Sequence, residues 1–234
     1  MREFSEITKD SVRSLGIYYS INGANIRNGK GMIIGPEGTP YAYCPLIFDV
    51  NFSTDYPLNP PSITISTSDG VTRFHPNLYV NGKVCLSILG TFSGPKWSPI
   101  MTTSNIFMSI LSLLDNNPIA NEPGFEKYGP GSKISSQYTG LVQFRMIAMT
   151  FRNLQAWKRG EIPPIWTEFD DVLEEIGDKL YDGICRIIRE KAEKGEEEFS
   201  KVSYGMSGKT GWNHLLAEMA SVKLAEPTLK LQGK

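Results

Sequence analysis

Histidine and cysteine are both scarce in this sequence of 234 residues, which limits the chemistry that its side chains can perform. The chain has two histidines, His75 and His214, and three cysteines, Cys44, Cys85 and Cys185. The cysteines are odd in number and show no C-x-x-C spacing, which argues against a disulfide framework and against a zinc site. Because metal ligands are so few, we expect any cysteine chemistry to be nucleophilic.

The sequence also lacks long apolar runs and an imbalance of charge. No stretch approaches the roughly 20 apolar residues that a membrane-spanning helix needs, and residues 1–6 lack the apolar character of a signal peptide. With 24 Lys and Arg against 25 Asp and Glu, the formal net charge of −1 provides no field that attracts nucleic acid or an anionic membrane. We therefore expect an intracellular, soluble protein of the cytoplasm or also the nucleus, without nucleic-acid or membrane partners.

The first half of the sequence predicts an α+β fold. Four short β-branched or aromatic runs, separated by Gly, Pro and Asn turns, predict an antiparallel meander: residues 16–21, 31–34, 46–52 and 62–66. In the third run Leu46, Phe48 and Val50 recur at the two-residue period of a strand with one buried face. Apolar residues spaced by three or four predict flanking helices at residues 4–15 and 106–114.

The second half predicts helices only. After a Gly- and Pro-containing stretch at residues 127–133, apolar residues recur at helical spacing over residues 141–154, 166–187 and 212–222. We therefore expect two domains, residues 1–130 and residues 131–234, the second being an all-helical extension packed on the first. The acidic triplet at residues 196–198 is interpreted as a solvated helix end.

Cys85 is the strongest candidate for chemistry among the three cysteines. We expect Cys44 and Cys185 to pack in the interior, where a free cysteine behaves as a small apolar side chain. Val84 and Leu86 belong to the apolar set of an extended segment, which should turn Cys85 toward the opposite, accessible side.

A tight turn is predicted at Asn81-Gly82, and it would fold His75 and Asn77 back beside Cys85. An amide beside a thiol suits acyl transfer from a thioester. The thiol would carry the acyl group, and the Asn77 N–H would stabilise the oxyanion that forms when an amine attacks the carbonyl. The alternative is that Asn77 only caps a loop, and the spacing leaves both interpretations open.

Four motifs, in order, resemble those of the ubiquitin-conjugating enzyme family. Phe74-His75-Pro76-Asn77 followed by Cys85 resembles the active-site signature of that family. The other three motifs are Ile-Gly-Pro-Glu-Gly-Thr-Pro-Tyr at residues 34–41, Tyr-Pro-Leu-Asn-Pro-Pro at 56–61 and Trp-Ser-Pro at 97–99. The long segment between the cysteine and the Trp-Ser-Pro motif, together with the helical tail, is most similar to the Z-type members.

The resemblance implies a transferase that receives ubiquitin, or a ubiquitin-like modifier, from an activating enzyme as a thioester on Cys85. The modifier then passes to a substrate lysine or to a ubiquitin ligase. Asn77 is implied as the oxyanion donor, His75 as a ring that braces the loop, and Glu122 as a carboxylate that helps the incoming lysine lose its proton. No metal or other cofactor is implied, because the activating enzyme consumes the ATP.

The same resemblance implies a ligase-binding surface on two loops. Compact members of the family dock ligases through a bulky residue in the Tyr-Pro-x-x loop and a residue after Trp-Ser-Pro. The corresponding residues here are Leu58 and Ile100, with Trp97 and Pro99 beside them. For Trp97, aromatic packing on the core is an equally open interpretation.

Two other functions stay open from the sequence. A noncatalytic ubiquitin-binding variant of the same fold would typically lack the cysteine, so an intact motif at Cys85 argues against it. A cysteine hydrolase acting on ubiquitin conjugates would need a basic histidine near the thiol and access of water to the acyl group.

Overall fold

Residues 9–224 are described in the computed structural model, and they form six strands and five α-helices. The strands are β1 (Ile17–Ile21), β2 (Asn28–Ile34), β3 (Pro45–Asn51), β4 (Ser62–Ile65), β5 (Glu198–Val202) and β6 (Met206–Lys209). The α-helices are α1 (Asp10–Arg13), α2 (Thr103–Leu113), α3 (Lys133–Lys158), α4 (Asp170–Lys194) and α5 (Trp212–Leu224). Short 3-10 helices occupy Ser87–Leu89, Pro118–Asn121, Pro164–Phe169 and Ser203–Gly205.

The first four strands pair in chain order as an antiparallel meander. Ile17 lies opposite Ile33, and Phe48 lies opposite both Gly31 in β2 and Ile65 in β4. The predicted α+β class with a four-stranded meander is therefore confirmed. The single buried face expected for the third strand holds only toward its end, because Ile47 is fully buried along with Phe48.

Helix α2 packs on the sheet through one aromatic cluster. The Phe107 ring meets the Phe48 ring edge-on at 5.8 Å between centroids and the Tyr19 ring at 6.3 Å. A Cβ atom at Gly31 would overlap the Phe107 ring, so the close approach of helix to sheet needs glycine at this position. This contact holds α2 against the sheet. From the end of α2 the chain continues to Glu122.

The predicted first helix is short in the described part of the chain. Only α1 is helical there, and Val12 is its buried residue. Leu15, expected on the same apolar face, is 48% exposed, because the helix ends before it and the chain turns at Gly16. Phe4 and Ile7 of the predicted face lie outside the described residues.

The helices predicted for the extension are confirmed. Those at residues 141–154 and 212–222 lie within α3 and α5, and the one at 166–187 begins as a 3-10 helix and continues as α4. The description of the extension as all-helical is incomplete, however, because β5 and β6 form an antiparallel hairpin between α4 and α5. No helix of residues 9–224 is long and apolar enough to cross a bilayer.

The extension and the first half of the chain share one hydrophobic core. Tyr138 and Phe151 of α3 are fully buried in the same cluster as Phe48 of the sheet. Across the seam, Arg186 donates a hydrogen bond to the Tyr43 hydroxyl. The predicted boundary between residues 130 and 131 stays a prediction, since the described core continues across it.

Glu196 is a helix cap and not a solvated helix end. Its carboxylate accepts hydrogen bonds from the Trp212 N–H at 3.1 Å, the Asn213 N–H at 2.8 Å and the Thr210 hydroxyl at 2.7 Å. These donors include the free N–H groups at the start of α5, which side-chain oxygens commonly satisfy. Burial acts to raise the pKa of Glu196, but the hydrogen bonds together lower that pKa below its usual value. The interpretation of the acidic triplet as solvated is therefore wrong for Glu196.

Candidate active site

The turn predicted at Asn81-Gly82 is present. Gly82 has a φ of 89°, a left-handed backbone conformation that glycine adopts without strain, and its N–H donates to Tyr79 O at 2.9 Å. The turn brings Leu78 and Val84 together in an antiparallel bridge. The chain therefore returns beside its own path, as the sequence predicts.

One step beyond that bridge, Asn77 and Cys85 form a reciprocal hydrogen-bonded pair. The Cys85 N–H donates to Asn77 O at 2.8 Å, and the Asn77 side-chain Nδ2 donates to Cys85 O at 2.8 Å. The predicted placement of the amide beside the cysteine is confirmed. The pair holds the thiol-bearing residue and the amide in a fixed relative position.

Cys85 is more shielded than the sequence suggests. Its exposed fraction is 5%, against 0% for Cys44 and 3% for Cys185, so the expectation of an accessible face is wrong. The predicted packing of Cys44 and Cys185 is confirmed, since both belong to the continuous hydrophobic core. Cys85 lies outside that core, although its neighbours Val84 and Leu86 belong to it.

The predicted alternation around the cysteine fails because the extended segment ends there. The chain enters the 3-10 helix Ser87–Leu89, and the Thr91 hydroxyl ties the turn. The Leu86 N–H donates to Thr91 Oγ1 at 2.9 Å, and Thr91 Oγ1 donates to Val84 O at 2.7 Å. Residues on both sides of Cys85 therefore turn inward.

The Asn77 amide has capacity beyond the bond that it makes. It uses one N–H for Cys85 O, while its Oδ1 is buried without a hydrogen-bond partner among the described residues. Oxyanion stabilisation needs an N–H donor, whereas Oδ1 is an acceptor, so its lack of a partner leaves the choice between loop capping and catalysis open. The role of Asn77 as an oxyanion donor stays a prediction.

His75 is placed as a brace for the loop. It is fully buried, and its Nδ1 accepts a hydrogen bond from the Asn77 N–H at 3.0 Å. Burial lowers the pKa of His75 to about 3; the Leu113 backbone acts to raise that pKa, and the Arg73 charge lowers it further. A neutral ring whose acceptor nitrogen is occupied fits the bracing interpretation better than that of a general base.

Glu122 follows the 3-10 helix Pro118–Asn121, and its carboxylate is held by residues that the sequence did not point to. The Tyr204 hydroxyl donates to Glu122 Oε2 at 2.6 Å, and an Arg73 nitrogen lies 3.8 Å from the same oxygen. The side chain of Glu122 is 29% exposed to solvent. Its assignment as the carboxylate that assists the lysine stays a prediction.

Arg73 and Tyr204 are the residues of this region that sequence reasoning missed. The signal for Arg73 was weak, since the sequence shows only that it directly precedes the Phe-His-Pro-Asn motif. No comparable signal existed for Tyr204, which lies in the unpredicted turn between β5 and β6. Among residues 9–224, no group of three or more His, Cys, Asp or Glu side chains could hold a metal ion.

The two loops predicted to contact a ligase lie side by side. Trp97 Nε1 donates to Pro57 O at 2.8 Å and thereby joins the Trp-Ser-Pro motif to the Tyr-Pro-x-x loop. Leu58 and Ile100 are 74% and 72% exposed. Pro99 is also exposed, whereas Trp97 is half-buried. Trp97 therefore has a structural role in joining the loops, and partner binding by the four residues stays a prediction.

We expect a small thiol-alkylating reagent to modify Cys85 at least about 10-fold faster than the other two cysteines in the folded protein. Cys44 is sealed in the core, and burial raises the pKa of its thiol to about 12, so its reactive thiolate is almost absent at pH 8. Peptide mass spectrometry over a time course would give the three rates, with the protein in denaturant as the control in which all three react. Equal native rates would contradict the position of Cys85 outside the core.

Burial of neutral His75 also predicts a loss of stability in acid. The ordinary pKa of 6.5 applies to the unfolded chain and a pKa of about 3 to the folded one. Between these values the unfolded chain binds a proton that the folded chain does not. The free energy of unfolding should therefore fall as the pH drops below 6.5, by up to about 1.4 kcal/mol per pH unit from this group. Urea unfolding at several pH values should show a smaller slope for His75→Gln, and identical slopes would contradict a neutral buried ring.

The chain is similar in sequence to known ubiquitin-conjugating enzymes. A sequence model of the family described as "Ubiquitin-conjugating enzyme" matches residues 1–130. The chain is 38% identical to Ubiquitin-conjugating enzyme E2 Z of Danio rerio over 157 residues, which are 66% of this chain and 47% of that protein. Its identity to E2 Z of Homo sapiens is also 38%, over 152 residues that cover 61% of this chain and 42% of that protein. A solved structure of human Ubiquitin-conjugating enzyme E2 G1 aligns with a TM-score of 0.41 and 32% identity, covering 48% of this chain and 88% of that one.

The chain thus spans less than half the length of the two E2 Z relatives, and its similarity to them confirms the predicted resemblance to the Z-type. The family match covers more than half of the chain and contains the paired Asn77 and Cys85. This chain belongs to the ubiquitin-conjugating enzyme family.

Proposed function

We propose that this chain accepts ubiquitin, or a ubiquitin-like modifier, from an activating enzyme as a thioester on Cys85. It then transfers the modifier to a substrate lysine or to the cysteine of a ligase. The observation that carries the proposal is the reciprocal pair of hydrogen bonds between Asn77 and Cys85, which places an amide donor beside the one cysteine outside the core. We place this activity in the cytoplasm or also the nucleus.

The first step is an exchange between two thioesters. The Cys85 thiolate attacks the carbonyl of the modifier's terminal glycine, the carbon–sulfur bond to the activating enzyme breaks, and the cysteine of that enzyme leaves as a thiolate. Because a thioester is consumed and another is formed, the step is nearly isoenergetic. The site needs to supply proximity, orientation and a modest fraction of thiolate. The proposed step uses no metal and no other cofactor.

The second step needs more from the protein. The neutral amine of a lysine attacks the same carbonyl, a carbon–nitrogen bond forms, and the carbon–sulfur bond to Cys85 breaks with the sulfur leaving as a thiolate. The proton lost from the nitrogen passes to a carboxylate, for which we propose Glu122. The carbonyl oxygen becomes negative on the way, and an N–H donor aimed at that oxygen lowers the barrier. The Asn77 amide keeps one N–H beyond its bond to Cys85 O, and that hydrogen can serve the oxyanion.

The small exposed fraction of Cys85 suits such a reaction. Because so little of Cys85 is exposed, water would have little access to a thioester on it, which limits wasteful hydrolysis. Opening of the site by the incoming modifier is then part of loading.

We propose Leu58 and Ile100 as the exposed centre of the ligase-binding surface, held by the Trp97 bond between their loops. Both are large apolar side chains with over two thirds of their surface in water. Neighbouring exposed apolar residues on fixed loops are typical of protein interaction sites.

The hydrolase alternative is disfavoured by the state of His75. A cysteine hydrolase needs a histidine that can accept the thiol proton, whereas the Nδ1 of His75 is already bonded to the Asn77 N–H inside the protein. The noncatalytic alternative is disfavoured by the presence of Cys85 in its hydrogen-bonded frame.

Loading is tested by incubating the protein with an activating enzyme, ATP and ubiquitin, followed by gels with and without reductant. We expect an adduct that reductant cleaves, absent in Cys85→Ala and retained in Cys185→Ala, since Cys185 is a core residue. Absence of an adduct with every activating enzyme tested would support the noncatalytic alternative. Release of free ubiquitin from conjugates would support the hydrolase.

Asn77→Ala tests the second step. Discharge of the loaded protein to free lysine should slow by about 100-fold, the scale expected for loss of one oxyanion donor, while thioester loading stays largely intact. Asn81→Ala is the matched control, because this exposed amide lies in the same turn and bonds only the Lys83 N–H in it. Equal discharge by Asn77→Ala and the wild type would remove Asn77 from the mechanism.

A further inference from the structure

The side chain of Arg73 lies between two aromatic rings that come from distant parts of the chain. Its guanidinium carbon is 3.7 Å from the centre of the Tyr79 ring, which belongs to the active-site turn. It is 4.2 Å from the centre of the Tyr204 ring, which belongs to the hairpin turn of the extension. A guanidinium between two rings is stabilised on both faces and has little freedom to move.

Arg73 transmits this position to the peptide that carries Asn77. One of its terminal nitrogens donates to Pro76 O, the carbonyl of the peptide bond between Pro76 and Asn77. The same peptide supplies the Asn77 N–H that bonds His75. Both ends of this peptide group are therefore fixed, one by Arg73 and the other by the buried imidazole.

Two tyrosine hydroxyls, one from the extension and one from the first half of the chain, bond the backbone at the start of the Phe-His-Pro-Asn motif. The Tyr138 hydroxyl of α3 donates to Arg73 O at 2.7 Å, and the Tyr41 hydroxyl donates to Phe74 O at 2.7 Å. Both tyrosines are fully buried. The carbonyl groups of Arg73 and Phe74 therefore both accept a hydrogen bond from a buried tyrosine. These bonds restrict the backbone of Arg73.

Tyr204 holds an uncommon backbone conformation to make its contacts. It has φ 62° and ψ 26°, in the left-handed region that is unfavourable for residues with a Cβ. Its ring packs edge-on against the Tyr138 ring at 5.8 Å, and its hydroxyl donates to Glu122 at 2.6 Å. Strained residues persist where surrounding contacts over-determine them, and they concentrate at functional sites.

We propose that Tyr204 is a positioning residue for Asn77. The aromatic face of Tyr204 holds Arg73 against the Tyr79 ring, Arg73 holds the Pro76–Asn77 peptide, and the peptide sets the direction of the Asn77 amide. The hairpin of the extension is thus part of the apparatus that aligns the amide for lysine transfer. This inference rests on the proposed function and adds a residue to it that lies 119 positions beyond Cys85 in the chain (204 − 85).

The ring and not the hydroxyl carries the effect in this arrangement. Tyr204→Phe keeps the face over Arg73 and loses only the bond to Glu122, whereas Tyr204→Leu keeps bulk at the same backbone position and loses the aromatic face. We expect Tyr204→Leu to slow discharge to free lysine by about 10-fold, the scale of a desolvated cation–π contact. Loading should stay within about twofold in both variants. Tyr204→Phe, which keeps the aromatic face but releases the Glu122 carboxylate, should slow discharge less than Tyr204→Leu does.

A double variant separates positioning from general weakening of the fold. If Tyr204 acts through Asn77, Tyr204→Leu should add almost nothing to the defect of Asn77→Ala. Trp157→Leu is the matched control, because Trp157 is a partly buried aromatic of the same extension that packs on Gly177 and bonds Asp170. It should lower thermal stability without slowing discharge.

The side-chain amide signal of Asn77 in a ¹⁵N NMR spectrum gives a readout that does not require activity. It should shift or broaden in Tyr204→Leu and stay in place in Tyr204→Phe and Trp157→Leu. An unchanged amide signal together with wild-type discharge in Tyr204→Leu would overturn the inference, as would full additivity with Asn77→Ala. Failure of the wild type to load ubiquitin would instead contradict the proposed function, while the amide signal would still decide whether Tyr204 positions Asn77.

Discussion

The site depends on the two hydrogen bonds that Asn77 and Cys85 exchange across a tight turn. They fix a thiol-bearing residue and an amide in one frame before any partner binds. In the proposed transfer to lysine, this preorganisation lowers the barrier because the donor does not have to be oriented during the reaction. The buried neutral His75, the Thr91 hydroxyl and the Arg73 side chain all act on this frame, each from a different direction.

A second feature is the way in which the extension reaches the site. Arg73 carries a charge into a half-buried place, and removing a charge from water is unfavourable unless the protein supplies partners. Those partners are the Tyr79 and Tyr204 rings, the Pro76 carbonyl and the Glu122 carboxylate. Two of the four, Glu122 and Tyr204, belong to segments far along the chain. The conformation of the active-site loop is therefore set by tertiary contacts as well as by its own sequence.

The sequence was a good guide where the structure is local or strongly periodic. The Asn81-Gly82 turn and the long apolar stripes of α3 and α4 depend on neighbours in the chain, and all of them are present. The two-residue period of β3 holds only toward the end of the strand, because Ile47 is buried together with its neighbours Leu46 and Phe48. The accessibility of Cys85 was predicted wrongly, because the alternation ends where a 3-10 helix begins and the Thr91 hydroxyl draws the chain inward. The β5–β6 hairpin was missed, because its short strands bury only Phe199, Val202 and Met206 and give no clear period. Tyr204 was missed with it, since its role depends wholly on tertiary packing.

The continuity of the apolar interior across residue 130 bears on how this chain evolves. The Tyr138 hydroxyl satisfies a carbonyl next to the active-site motif, and Gly183 lies so close to the Tyr43 ring that a methyl group there would clash. Loss or exchange of the tail would leave that carbonyl without its donor and would uncover the apolar side chains that α3 and α4 now protect from water. The extension is therefore not an interchangeable module. Substitutions in the extension and in the part of the first half that it contacts have to be selected together.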